Sequence, residues 1–150
     1  MSSEEVRTHS AVHVLKGAAQ KVLGVKWTAS VYVSGRHGRI TVQFERKPTD
    51  EEVARIEREA NAKVAEGVEV LDFEMEKVEA EGHFGDDIYD LFPLPAGVTI
   101  LKIVRIPDWN VNCCNHGHVD NTQEIGDIKV GRMRFRNEKK ELEIEFDLAD

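Results

Sequence analysis

The 150-residue sequence predicts an α+β domain, a predominantly antiparallel β-sheet with two main helices packed on it. Three observations carry the prediction. Two stretches have helical periodicity between start and stop signals, several others alternate apolar and polar residues with a period of two, and turn residues join the alternating stretches into hairpins.

The first helix starts after Ser2, whose spacing to Glu5 suits a capping box, and ends near Gly24. On its wheel Ala11, Val12, Leu15, Ala19 and Val22 form an apolar stripe, with His9, His13, Lys16 and Gln20 along one border, so the histidines border the core. Residues 28–34 and 39–45 read as strands around the turn Gly35-Arg36-His37-Gly38, with Ile40, Val42 and Phe44 facing inward. Pro48 and Thr49-Asp-Glu-Glu52 start a second helix, Val53, Ile56, Ala60 and Val64 give its buried face, and Gly67 closes it. Strands follow at 68–77 and 98–106, the latter apolar enough to be central. Across 127–136 the apolar phase moves from Ile128 and Val130 to Met133 and Phe135, so Gly131 marks a bulge. In the last strand Leu142, Ile144, Phe146 and Leu148 alternate with four acidic residues.

Composition sets the class. With 41% apolar and 32% charged residues, residues 1–150 suit one globular domain with its own core. No apolar run approaches a membrane span, and MSSEEVRTHS lacks the apolar core of a secretory signal, which predicts a cytoplasmic protein without a membrane partner. Cys113 and Cys114 are neighbours, a poor geometry for a disulfide within the chain. A net charge of −8 argues against broad nonspecific nucleic-acid binding, which needs a dominant positive field. Basic residues nonetheless gather at Lys16, Lys21 and Lys26, at Arg36 and Arg39, and at Lys129, Arg132, Arg134 and Arg136, whereas acids concentrate in 50–59, 66–90 and 138–150. That segregation predicts a local RNA-contacting patch including Lys16, Arg36 and Lys129.

The chemistry lies in two short-spaced pairs a hundred residues apart, His9-x3-His13 and Cys114-x3-His118. Positions four apart on a helix share a face, so both first-pair imidazoles can reach one ion. The second pair lies in NCCNHGHVDNTQEIG, whose Gly117 and asparagines suit a loop that curls round a metal. Four nitrogen and sulfur donors are a zinc set, one ion per chain. His9-Ser-Ala-Val-His13 has no glutamate after its first histidine, so the general base of H-E-x-x-H peptidases is missing. A thiol nucleophile, Cys113 or Cys114 with His116 or His118 as base, is an alternative. Ligation is the better use of Cys114 because it also accounts for the distant histidines, and Cys113 then reads as a small buried hydrophobe.

His9-Ser-Ala-Val-His13 followed by Lys21-Val-Leu-Gly24, with Cys114-x3-His118-Val-Asp-Asn-Thr-Gln-Glu-Ile-Gly126, resembles the editing domain of alanyl-tRNA synthetases and its free-standing relatives, the AlaX proteins, most of all their small class. The resemblance runs from about residue 7 to 136. Gln123 stands where the family usually has glycine, and Asn115 and His116 where it has glycines, which makes His116 a rival ligand. The resemblance implies the alanyl/threonyl-tRNA synthetase editing fold, and hydrolysis of the ester joining a wrong amino acid, chiefly serine and possibly glycine, to alanine tRNA. It leaves the protein a monomer or a homodimer. A zinc shell with an exchangeable position would activate water or polarise the ester, whereas a closed shell would position substrate. Choosing serine over alanine needs a group that rewards a hydroxyl; Thr28 and Ser30 are the candidates, with Gln20 as a further polar contact. Two rivals stand beside this reading: a zinc-stabilised RNA-binding module without catalysis, and a zinc hydrolase of another ester or amide.

Overall fold

The computed structural model describes residues 3–92 and 94–149. Its fold is α+β, with every strand pairing antiparallel, but the strands form two sheets rather than one and a third helix joins the two expected. Helix α1 spans Ser3–Leu23 and stops at Gly24, which takes a left-handed φ of 73° while its N–H bonds the Gln20 carbonyl at 2.9 Å. The expected cap at Ser2 lies outside the described residues.

Strands β1 (Thr28–Ser34) and β2 (His37–Gln43) form a hairpin. Its turn is the pair Gly35-Arg36 rather than four residues, with Gly35 at φ 57° in the first central position, so β2 begins two residues earlier than its apolar pattern suggested. Helix α2 (Asp50–Glu66) carries the full capping box between Thr49 and Glu52, ends on left-handed Gly67, and buries Ile56, Ala60 and Val64. Strand β3 (Leu71–Glu76) is shorter than expected because Glu76 begins helix α3 (Lys77–Phe84). That helix buries only Ala80, so no apolar stripe marked it in the sequence.

Strands β4 (Ile100–Ile106) and β5 (Asn110–Cys113) complete a three-stranded sheet in the order β3-β4-β5. Central β4 is buried on both faces. Val104 and Ile106 enter the main core under α1 and α2, whereas Leu101 and Ile103 enter a second, smaller one with Ala80 and Ile88. Strands β6 (Ile128–Arg136) and β7 (Glu141–Leu148) join the first hairpin in a four-stranded sheet, β1-β2-β7-β6. The predicted bulge is present, as a register shift between Val130 and Met133.

Two contacts set α1 against the β4–β5 hairpin. The Trp109 indole N–H donates to the Val14 carbonyl at 2.9 Å, and its ring lies where a β-carbon on Gly17 would be. Gly17 therefore permits the close approach, at a helix-propensity cost of about 1 kcal/mol relative to alanine. No described helix is long and apolar enough to cross a membrane.

Candidate metal centre

His9 and His13 stand one turn apart on α1, and Cys114 and His118 lie on the loop that leaves β5. Docking of Trp109 on the helix brings that loop over the histidines, and Ser10 holds it there, its Oγ accepting from the Val119 N–H at 3.0 Å. The four side chains converge: one donor atom from each lies within 4.8 Å of all the others. A tetrahedral ion with ligands at about 2.0–2.3 Å needs donors about 3.5 Å apart, within reach of small side-chain adjustments.

Hydrogen bonding fits these residues to a metal ion. Both ring nitrogens of His13 and Nε2 of His118 are buried without a hydrogen-bond partner among the described residues. Such atoms are costly unless something else engages them. His9 Nε2 sits 3.0 Å from Cys114 Sγ, and His118 Nδ1 donates to Asp72 Oδ1 at 2.8 Å. The Asp72 bond places the proton on Nδ1 and leaves the Nε2 lone pair facing the cluster. Asp72 was not anticipated; it is one of three alternating acids on β3, and nothing in their sequence separates it from Glu74 or Glu76.

Electrostatics favour neutral imidazoles. Burial, reinforced by His116 and His118, lowers His9 to about 3, and burial with the neighbouring histidines holds His13 well below its ordinary value. His118 is also lowered by burial, although Asp72 opposes the shift. Burial pushes the thiols of Cys113 and Cys114 up to about 11, so neither is a ready nucleophile. This disfavours the thiol-nucleophile alternative. Cys113 packs beside the smaller core as expected of a small hydrophobe. His116 lies against His9 with ring centroids 4.3 Å apart and planes tilted by 41°, its Nδ1 3.7 Å from Cys114 Sγ, outside the convergent four.

The histidines do not merely border the core. They are 6% and 5% exposed, and α1 is buried on every side from Thr8 to Ala19 because the hairpin covers the face that the wheel left polar. The same enclosure corrects the expected RNA patch at Lys16. Its side chain is 2% exposed, and its ammonium donates to Asp90 Oδ1 at 3.2 Å and to Asn112 Oδ1 at 2.5 Å. Burial lowers the Lys16 pKa, with Asp90 acting against the shift.

His9, His13 and Cys114 line a cleft of about 930 Å³, with Ser30 and Val31 on one wall and Phe92 and Lys102 on another. Ser30 is exposed there. Thr28, two residues earlier on β1, does not line the cleft; it is 2% exposed, and its Oγ1 has no partner among the described residues. Gln20 does not line the cleft; its Oε1 accepts from Asn110 Nδ2 at 3.2 Å. Gln123 occupies a 3₁₀ turn (Thr122–Ile125) that needs no left-handed residue at that position, and its amide donates to the Ala65 carbonyl at 3.2 Å.

No protein-family model matches the chain. It is similar to an alanine–tRNA ligase of Saccharolobus islandicus, 36% identical over 126 residues, to that of Staphylothermus marinus, 37% over 126, and to that of Methanopyrus kandleri, 38% over 133. These alignments cover 83%, 83% and 87% of this chain and 14% of each relative, so the chain spans about a seventh of the curated relatives' length.

Proposed function

We propose that this chain is an editing unit acting on alanine tRNA, a cytoplasmic hydrolase that removes a wrongly attached amino acid, chiefly serine, from tRNA(Ala) in trans. The observation that carries the proposal is the convergence of His9, His13, Cys114 and His118, three of which line one cleft, in a chain similar to alanine–tRNA ligases over most of its length. The resemblance of its two motifs to those of editing domains and AlaX proteins points the same way.

Zinc is the proposed ion, because three imidazoles and one thiolate in tetrahedral reach match its ligand preferences. When bound, such an ion supplies Lewis acidity at an ester carbonyl. The residues do the rest. His118 is oriented by Asp72, and His9 and His13 are kept neutral by burial, so each presents a lone pair at neutral pH. Ser30, which lines the cleft, and the buried Thr28 two residues before it are the proposed hydroxyl-sensing pair, since an alanyl group would leave their polar atoms unmatched. Gln20 is left to hold Asn110.

The test is release of serine from seryl-tRNA(Ala) by the zinc-loaded protein, with alanyl-tRNA(Ala) left intact. Zinc content of the wild type and of His13→Ala is measured alongside. Full zinc retention in the variant removes His13 from the shell, and failure to release serine at one zinc per chain overturns the hydrolase reading in favour of a zinc-stabilised RNA-binding module.

A further inference from the structure

The face of the four-stranded sheet turned away from the helices carries an arginine recess. On β6 the bulge between Val130 and Met133 resets the side-chain phase, so Met133 and Phe135 pack on the core while Arg132, Arg134 and Arg136 share the opposite face. Without that shift the three guanidiniums would point into the core. Arg39 reaches the same recess from β2 across β7, and the four arginines with Glu143 and Glu145 enclose about 120 Å³. The six formal charges sum to +2 in a chain whose net charge is −8. Arg136 pairs with Glu143 at 2.9 Å, and Arg39 and Arg134 help it hold that carboxyl below its ordinary value, so one carboxylate faces three guanidiniums. Guanidiniums in excess over carboxylates on a preordered sheet form forked donors suited to phosphate.

We infer that this recess is a phosphate site for the RNA backbone, a second contact surface remote from the metal cluster. The cleft and the recess lie on opposite faces of the sheet that meet at its edge strand β1, and an RNA, unlike a free anion, can round that edge and reach both. Val31 and Val33 of β1 line the cleft, while Tyr32 between them faces the other way, with the Arg39 guanidinium 5.4 Å from its ring centre. The β6 arginines lie three strand spacings from β1, about 15 Å. An RNA whose acylated end enters the cleft would therefore cross this face within a few nucleotides. The inference rests on the proposed tRNA substrate and replaces the buried Lys16 as the source of positive charge.

The experiment measures binding of uncharged tRNA(Ala) to the zinc-loaded protein as a function of salt, for wild type, Arg132→Gln/Arg134→Gln, and Arg58→Gln as a single-charge control on the exposed side of α2. The double variant should lose on the order of tenfold in affinity at low salt and reduce the salt slope by about two, with zinc content and melting temperature unchanged. Arg58→Gln should stay within about twofold of wild type. Unaltered binding and slope in the double variant, or an equal loss in Arg58→Gln, overturns the inference. Inorganic phosphate is titrated in parallel: saturation at the arginines without displacement of tRNA would assign the recess to a free anion and overturn the RNA occupant. Serine release by wild type is scored separately, so absence of hydrolysis with arginine-dependent tRNA binding would sink the catalytic reading and leave this surface standing.

Discussion

Asp72 on β3 accepts a hydrogen bond from Nδ1 of His118 at 2.8 Å, and through it a strand of the smaller sheet orients one of the four candidate metal ligands. A carboxylate behind a ligating imidazole fixes its tautomer and raises its basicity. Asp72→Ala should therefore weaken metal binding by about ten- to a hundredfold, with Asp72→Asn intermediate. The Asp72 side chain is 34% exposed, so the fold should survive either change. Chelator competition reads the affinity; wild-type affinity in Asp72→Ala would show that the contact is incidental.

Metal uptake should release about one proton per ion at pH 7, and it should come from sulfur. His9, at about 3, is already neutral between pH 6 and 8, whereas Cys114, at about 11, keeps its proton until an ion displaces it. Affinity should then rise about tenfold per pH unit across that range. Calorimetry in buffers of different ionisation enthalpy counts the protons; a count near zero would exclude the thiol as a ligand. The metal-free protein has the opposite sensitivity to acid from one with a paired histidine. Below pH 6.5 the unfolded chain takes up a proton that folded His9 refuses, so stability should fall by about 1.4 kcal/mol per pH unit toward pH 3, with His13 adding in the same direction.

Thr28→Val preserves shape while removing a buried, unpartnered hydroxyl. If that hydroxyl meets the serine side chain, kcat/KM on seryl-tRNA should fall ten- to a hundredfold, equivalent to about 1–3 kcal/mol, and discrimination against alanine should shrink in step. Ser30→Ala is the companion variant, because Ser30 stands on the cleft wall itself. A selective defect in Ser30→Ala alone would move the assignment there, and wild-type rates in both would clear the pair.

Lys16→Met should act on stability rather than on RNA binding. It leaves Asp90, whose side chain is 9% exposed, without its cation, a loss of about 3–5 kcal/mol for a buried pair. The salt slope of tRNA binding should not move. Thermal or urea unfolding gives the first quantity; a variant as stable as wild type would mean that Asp90 finds another partner.

Much of this molecule was legible in one dimension because its signals are local. The Thr49 to Glu52 capping box, the Gly67 stop, the β7 alternation and the phase shift at Gly131 each depend on residues within a turn or two, and each appears in the fold. The shared face of His9 and His13 was legible for the same reason, since a spacing of four on a helix already defines a face, whereas Cys114 and His118 meet them only through the fold. Helix α3 was not, because a helix burying one alanine leaves no periodic trace.

What only the tertiary structure decided is which neighbours those local pieces meet. The wheel of α1 placed Lys16 on a polar border, yet docking of the β4–β5 hairpin through Trp109 closed that border and turned a presumed surface cation into half of a buried pair. The same docking enclosed His9 and His13, and the approach of β3 to the loop after β5 supplied Asp72. Burial and pairing across 74 residues, for Lys16 with Asp90, or 46, for Asp72 with His118, depend on how elements pack, and periodicity within any one element carries no record of it.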